Sequence, residues 1–275
     1  MNPKTVLDAR SIDPKKSLGQ NFLHDPNALH KIVTAAELAP DATVLEIGAG
    51  TGALTVQLAE AVPDGQVIAV EIDERLIPIL NQALADYPNV TVICADILKT
   101  NLSDLVDQLP YCVVGNLPYY ITSAILRHVL ESEAKPRCLV LTVQEEVAER
   151  LSARPGDMSV LAVSVQFYGF PTIVTRFGAA AFWPRPDVGS AVVRIDVYGP
   201  QERPVDVTDE ALFFRIVRAG FGQKRKQLKN SLSAGLSLSS GEASAWLERA
   251  GIDPMRRAET LTLHEWAALS QLISS

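Results

Sequence analysis

Apolar residues along the chain follow two different rhythms. From Thr43 to Val143, short β-branched or aliphatic runs recur: TVLEI (Thr43–Ile47), QVIAVEI (Gln66–Ile72), VTVIC (Val90–Cys94), YCVVG (Tyr111–Gly115) and RCLVLTV (Arg137–Val143). Segments of helical spacing separate them, over Ala53–Ala61, Glu74–Ala85, Leu102–Gln108, Ser123–Leu130 and Gln144–Leu151. Short strands alternating with helices predict right-handed crossovers and a mostly parallel sheet, an α/β fold. Upstream, Asp25-Pro26 reads as an N-cap and a proline at the first helical position. Leu29, Ile32, Val33 and Ala36 then recur at helical spacing. Downstream the order changes. Met158–Tyr168 reads as a helix, and TIVTRF (Thr172–Phe177) and GSAVVRIDV (Gly189–Val197) read as strands. Only GAAAFWPRPDV separates those two strands, too short for a crossover helix, so they are expected as antiparallel neighbours.

The polar, proline-containing YGPQERPVDV (Tyr198–Val207) marks the expected domain boundary, dividing the chain into 1–203 and 204–275. No strand pattern follows it. Thr208-Asp209-Glu210 starts a helix with negative charge in its first turn. Another helix runs near Glu242–Ala250 and stops at Gly251, and TLHE (Thr262–Glu265) fits a capping box for a last one. The second domain is therefore expected to be small and all-helical.

Composition narrows this picture. A length of 275 residues fits one large domain, or one large and one small. With 47% hydrophobic and 21% charged residues the chain can bury a sizeable core. No apolar run approaches the roughly 18 residues that span a bilayer. The N-terminus, MNPKTVLDARSIDPKK, has no apolar h-region, so a signal peptide is not expected. Cys94, Cys112 and Cys138 are widely spaced beside apolar runs. They read as buried, reduced thiols of a cytoplasmic protein, not as disulfides or metal ligands. A net charge of −7 argues mildly against a nucleic-acid partner. Its distribution argues the other way. FFRIVRAGFGQKRKQLKN (Phe213–Asn230) carries Arg215, Arg218, Lys224, Arg225, Lys226 and Lys229 and no acidic residue, and Lys15 and Lys16 form a second group. The alternative for the long run is a solvated helix face.

Candidate chemistry collects at the strand ends. VLEIGAGTGALT (Val44–Thr55) joins the first strand of the sheet to its first helix with glycines at 48, 50 and 52. Glycines there allow a sharp turn and close approach of a ligand to the amides. The G-x-G-x-G spacing is not the G-x-G-x-x-G of dinucleotide sites. Glu46, just before the loop, favours a ligand with a cationic or amino-acid part. Glu71 ends the second strand, where a carboxylate can accept both hydroxyls of a ribose. Asp96 follows the third, within reach of an adenine amino group, or as a simple helix cap. GNLPYY (Gly115–Tyr120) follows the fourth and sets an amide, a proline and two tyrosines beside each other. Hydrogen-bonding groups next to a flat aromatic face suit a flat heterocycle. Ligands of open α/β sheets bind at this carboxyl edge.

The segments KKSLGQNFL, VLEIGAGTGALT, VEID, ADIL, GNLPYYIT, FWPRPDVGSAVVRI and RAGFGQKRKQLKNSL, in this order, resemble the rRNA adenine N6-dimethyltransferases. The resemblance extends from about Lys15 to the C-terminal helices. It is greatest to the bacterial small-subunit branch, linked to kasugamycin sensitivity. The glycine loop is shared with many methyltransferases; SLGQNFL and NLPYYIT are far more specific. The resemblance implies a seven-stranded Rossmann-like sheet with its last strand reversed, and S-adenosylmethionine as cofactor. It implies cofactor contacts at Asn21, Leu23, Gly48, Glu71, Asp96 and Asn116, to which Gly50, Ile72 and Ile97 are added as loop and strand-end neighbours. Ala49 stands where the family often has proline, and the acidic net charge is a second departure.

An adenine N6 amine is a poor nucleophile because its lone pair is delocalised into the ring. If the Asn116 side-chain oxygen and the Leu117 or Pro118 carbonyl accept its hydrogens, the lone pair can point at the methyl carbon. Pro118 fixes the local backbone. Tyr119 supplies a stacking face, worth roughly 1–3 kcal/mol per base. Phe182, in FWPRP, is a second stacking candidate. A target base must leave its stack to enter such a pocket. The implied substrate is two adjacent adenosines in a hairpin loop near the 3′ end of small-subunit rRNA, within the 30S particle or its precursor, and the protein is expected to act as a monomer. The basic segment would hold phosphates, with Arg154, Arg256 and Arg257 as lesser candidates. Other readings are a large-subunit methylase of the erythromycin-resistance type, a non-catalytic ribosome-assembly or RNA-binding factor, and a nicotinamide oxidoreductase.

Overall fold

The computed structural model describes residues 2–199 and 201–274, with the side chains of Lys16 and Ser274 excepted. The expected RNA contact at Lys16 therefore lies outside the described residues.

The chain forms α1 (Pro3–Asp8), β1 (Phe22–Leu23), α2 (Pro26–Ala36), β2 (Thr43–Ile47), α3 (Ala53–Ala61), β3 (Gln66–Glu71), α4 (Ile77–Ala83) and β4 (Val90–Cys94). β5 (Tyr111–Asn116), α5 (Thr122–Leu130), β6 (Cys138–Gln144), α6 (Glu145–Leu151), α7 (Val160–Tyr168), β7 (Gly169–Phe177), β8 (Phe182–Trp183) and β9 (Ser190–Val197) follow. The helices α8 (Glu210–Phe221), α9 (Leu228–Leu236), α10 (Ser240–Arg249) and α11 (Leu263–Ser274) complete it. Local chemistry sets several bounds. Asp25 caps α2 by accepting the Ala28 N–H at 2.8 Å, and Pro26 follows at a position that needs no donor. Ser239 and Glu242 close a capping box on α10, and Gly251 ends that segment at φ +71°.

Seven strands form one sheet in the order β4-β3-β2-β5-β6-β9-β7. β2 pairs in parallel with both β3 and β5, β3 with β4, and β5 with β6, while β9 runs antiparallel to β6. The reversed strand thus sits between β6 and β7. Central strands β2, β5 and β6 are almost wholly buried, which explains their unbroken apolar runs. The chain leaves β2 toward β3 and β4, then returns to β5 on its other side. That reversal opens a crevice at the carboxyl ends of β2 and β5, where Ile47 pairs with Gly115.

Some expectations need correction. Leu102–Gln108 holds only a 3₁₀ turn, Leu102–Asp104, after another at Ile97–Lys99. Asp96 and Asn101 each cap a separate short turn, accepting a backbone N–H two residues on, so the segment starts twice and forms two single turns in place of one helix. Cys94 is exposed, at the end of β4, whose faces are only partly covered; Cys112 and Cys138 are buried. β1 and β8 form a two-stranded antiparallel pair that was not expected, since two residues are too few to show a period.

Two compact units result, one of residues 1–148 with 170–197 and one of 149–169 with 198–275. The chain therefore passes between them after Ala148, Gly169 and Val197, instead of once near residue 203. Phe167 of α7 stacks on Phe213 of α8 with centroids 5.0 Å apart. Arg203 lies 4.9 Å over the Phe167 ring and pairs with Glu210. These contacts assign α7 and the segment around Arg203 to the helical unit.

Candidate active site

The β2–β5 crevice opens into a cleft of about 540 Å³, its mouth included. Its lining includes Asn21, Gly48, Gly50, Glu71, Ile72, Asn116, Leu117, Pro118 and Tyr119. Residues 44 to 120 thus bring together the glycine loop, the acid of the second strand and the NLPY turn, as their shared sheet edge requires.

The glycine loop folds back onto β3. Gly48 and Ala49 both donate N–H groups to the Val70 carbonyl, at 2.9 and 3.2 Å. Gly50 stands at φ +60°, and a Cβ there would lie 3.2 Å from the Phe22 ring, so only glycine fits the turn without strain. Its N–H donates to Glu71 Oε2 at 2.8 Å, while the Asp73 N–H donates to Oε1 at 2.8 Å. Each oxygen keeps a lone pair. Burial pushes the Glu71 carboxyl above its ordinary value, against the pull of those two backbone donors.

Glu46 lies deeper, on a second lobe lined also by Gly48, Gly50, Leu54 and Asn116. It is fully buried, and its Oε2 has no hydrogen-bond partner among the described residues. Burial raises its pKa from 4.5 to about 8; the Thr55 hydroxyl pulls it down and the Glu71 charge pushes it up. The Thr55 contact is too loose for hydrogen-bond geometry, because Thr55 Oγ1 is unpartnered as well. A lone buried carboxyl is costly, and a cationic ligand group would relieve it.

An N-terminal arm crosses the cleft and is anchored at both sides. On one side Asp73 accepts from Lys15 Nζ at 3.3 Å, Gln20 Nε2 at 2.9 Å and Arg75 Nη2 at 2.7 Å. The Arg75 guanidinium, with Gln20 and Lys15 behind it, holds the Asp73 carboxyl well below its ordinary range despite burial. Lys15, expected to bind RNA, is thus an anchor of the arm. On the other side Asn116 Nδ2 donates to the Asn21 carbonyl at 2.8 Å. Gly19, at φ +59°, passes so close to Tyr120 that a Cβ would lie 3.1 Å from its ring. Leu23 continues into β1, where it is buried and lines the deeper lobe.

The NLPY turn is ordered by its own backbone. The Pro118 carbonyl accepts from the Ile121 N–H and the Thr122 hydroxyl, each at 3.2 Å, as α5 begins. It is therefore committed to the helix start, and Leu117 supplies the carbonyl with no hydrogen bond among the described residues. Asn116 gives its amide nitrogen to Asn21, and its Oδ1 has no partner among the described residues.

Three expected residues lie elsewhere. Asp96 caps the turn that follows it, accepting the Leu98 N–H at 3.1 Å and facing Lys99 at 3.5 Å. Neither Asp96 nor the buried Ile97 lines the cleft. Phe182 pairs with Leu23 across β1 and β8 and is 1% exposed, packed in the core, so its ring offers no stacking face here. The arm's side-chain anchors were not foreseen, although Asp73 in VEID and Gln20 in LGQNF were open to view.

In the helical unit, Arg215 and Arg218 are exposed one helical turn apart on α8, and Lys224, Arg225 and Lys226 are exposed in the α8–α9 connection. Lys229 is partly exposed in α9. Arg256, by contrast, is bound to Glu265 and to Thr260, whose carbonyl accepts at 2.7 Å. Arg257 faces Glu259 at 3.8 Å.

Comparison with known proteins agrees with this geometry. Residues 13–275 match the model of the family described as ribosomal RNA adenine dimethylase. The chain is similar to "Ribosomal RNA small subunit methyltransferase A" of Dehalococcoides mccartyi, 46% identical over 97% of this chain and 90% of that protein. Among solved structures, a 23S rRNA methyltransferase, ErmE, is 29% identical with a TM-score of 0.72, over 93% of this chain and 100% of that one. A dimethyladenosine transferase from Plasmodium falciparum is 26% identical with a TM-score of 0.76, over 90% and 95%. A match of this extent, on a sheet edge built as described, means that the chain belongs to the ribosomal RNA adenine dimethylase family.

Proposed function

We propose that this protein dimethylates N6 of two adjacent adenosines in the 3′-terminal hairpin loop of small-subunit rRNA, acting as a cytoplasmic monomer on the 30S particle or its precursor. The observation that carries the reading is the Asn116 amide. Its nitrogen is held by Asn21, and neither its oxygen nor the following Leu117 carbonyl has a hydrogen bond among the described residues. Two acceptors at the end of one strand suit the two hydrogens of an exocyclic amine.

S-adenosylmethionine, the family's cofactor, supplies a methyl group made electrophilic by a sulfonium sulfur. The residues present fit it. Glu71 retains lone pairs for a ribose, and unpartnered Glu46 Oε2 suits a cationic end. Asn21, Leu23, Gly48, Gly50 and Ile72 would line the rest.

The protein's own work is alignment. Asn116 Oδ1 and the Leu117 carbonyl accept the N6 hydrogens and so turn the lone pair out of the ring plane. Tyr119 offers its face to the base. No strong general base is required, since methylation itself acidifies the nitrogen. On the helical unit, Arg215, Arg218, Lys224, Arg225, Lys226 and Lys229 would bind phosphates.

The test offers small ribosomal subunits that lack the modification, and in parallel unmodified large-subunit RNA, with labelled S-adenosylmethionine. Label is expected in adenosine as the N6-dimethyl form. Label only in large-subunit RNA would instead support the second reading, which the likeness to the 23S rRNA methyltransferase structure favours. No label in any RNA would leave an assembly factor.

A further inference from the structure

We propose that Ser190 is a positioning residue for the reaction, a fixed point that holds the Tyr119 ring in the orientation the target base stacks on. The proposal rests on the reading of Tyr119 as the stacking surface. The Tyr119 hydroxyl and Ser190 Oγ lie 2.7 Å apart. Tyr119 is half-buried and lines the cleft, while Ser190 is 0% exposed.

Topology explains how a serine comes to be there. Ser190 opens β9 and pairs with Gln144, the last residue of β6. β6 is parallel to β5, whose last residue is Asn116, so Gln144 and Asn116 belong to the same edge of the sheet. A parallel strand would place its first residue at the opposite edge. Only a reversed strand starts at the carboxyl edge, and β9 is reversed. Its first residue is further fixed by the Glu145 N–H, which donates to the Gly189 carbonyl at 3.1 Å. A hydroxyl on one rotatable bond from a fixed strand is a rigid anchor.

The neighbouring tyrosine shows what lacks such an anchor. Tyr120 is 61% exposed, leans on Gly19, and its hydroxyl has no hydrogen bond among the described residues. Burial raises the Tyr119 phenol above its ordinary value even with Ser190 pulling it down, so the hydroxyl stays protonated and the bond stays intact at neutral pH. A ring free to rock about its two side-chain bonds would still occupy the pocket wall. It would hold the base less often in line with the methyl donor, and the loss would appear in kcat.

The experiment measures kcat, KM for unmodified small subunits and Kd for S-adenosylmethionine in Ser190→Ala, Tyr119→Phe, the double variant and Tyr119→Ala. One hydrogen bond predicts a fall in kcat of about three- to tenfold for each of the first two. The double variant should be no slower than either single one. KM should change less than twofold, because the basic surface holds the particle, and cofactor Kd should not change. Tyr119→Ala should be slower than all three. If Tyr119→Ala keeps full activity, Tyr119 is not the stacking surface and the proposal falls with that reading. If Tyr119→Ala is slow while Ser190→Ala and Tyr119→Phe match the parent, or their effects multiply, the stacking reading survives and Ser190 is not its anchor. Should Ser190→Ala fold poorly, Tyr119→Phe decides alone, since it keeps the ring and removes only the hydroxyl: parental kcat overturns the proposal, and a reduced kcat supports it.

Discussion

The sheet unit and the helical unit treat charge in opposite ways. Around the cleft, Glu71 and Asp73 are engaged by the protein itself, Glu71 by the Gly50 and Asp73 N–H groups and Asp73 by Lys15, Gln20 and Arg75, while Glu46 Oε2 has no partner among the described residues. In the helical unit, Arg215, Arg218, Lys224, Arg225, Lys226 and Lys229 have no ion pair among the described residues. That unit does pair arginines where the fold needs them, as Arg203 with Glu210 and Arg256 with Glu265 show. The contrast is between charge that fixes the chain and charge left for a partner. A net charge of −7 hides it, since local potential depends on clusters.

The sharpest test of the cleft's side is Asn116→Ala. It removes one of two proposed acceptors, and turnover should fall by about a hundredfold or more, with cofactor Kd affected less. Parental turnover would remove Asn116 from the reaction. On the helical side, Lys224, Arg225 and Lys226 changed together to Ala should weaken RNA binding. Each lost phosphate contact lowers the slope of log K against log salt by about 0.7–0.9, so a drop of roughly two is expected; an unchanged slope would make the segment a solvated face.

A smaller effect separates Glu46 from its engaged neighbours. Its folded pKa of about 8 lies above 4.5, so its contribution to stability is complete below pH 4.5 and is lost as pH rises toward 8 and beyond. Cofactor-free Glu46→Gln should therefore lose less stability than the parent between pH 6 and 9, by about 1–3 kcal/mol. Identical denaturation midpoints across that range would show that Glu46 is not buried uncompensated. Asp73 has the opposite sign: its depressed pKa stabilises above its ordinary 3.8 and is lost on further acidification. Smallest of all, Arg256→Ala should cost about 1–2 kcal/mol by releasing Glu265 and Thr260, with the RNA salt slope intact. A slope reduced as in the triple variant would place Arg256 on the binding surface and erase the distinction drawn here.

Much of this was legible in advance because it is local. The runs at Thr43–Ile47 and Tyr111–Gly115 are apolar because both faces of those strands are covered, and the caps at Asp25 and Thr262 act within three residues. Gly48, Glu71 and Asn116 line one cleft because strand ends on one edge of a parallel sheet must meet. What failed was whatever depended on partners far along the chain. Phe182 went into the core where Leu23 of the arm pairs with it, and Lys15 became an anchor by reaching Asp73, 58 positions away. The Pro118 carbonyl is a local exception, taken by Ile121 and Thr122 three and four residues on as α5 starts.

The amino-acid sequence by itself determined the alternating strands and helices, the glycine turn, the chemistry available at the sheet edge and the basic run, since each follows from the period or type of neighbouring residues. The tertiary structure alone decided which of those groups remain free: Asn116 Oδ1, the Leu117 carbonyl and Glu46 Oε2 among them. A hydrogen-bonding or charged group is available to a ligand only if no distant part of the chain has already satisfied it, and no local pattern records that.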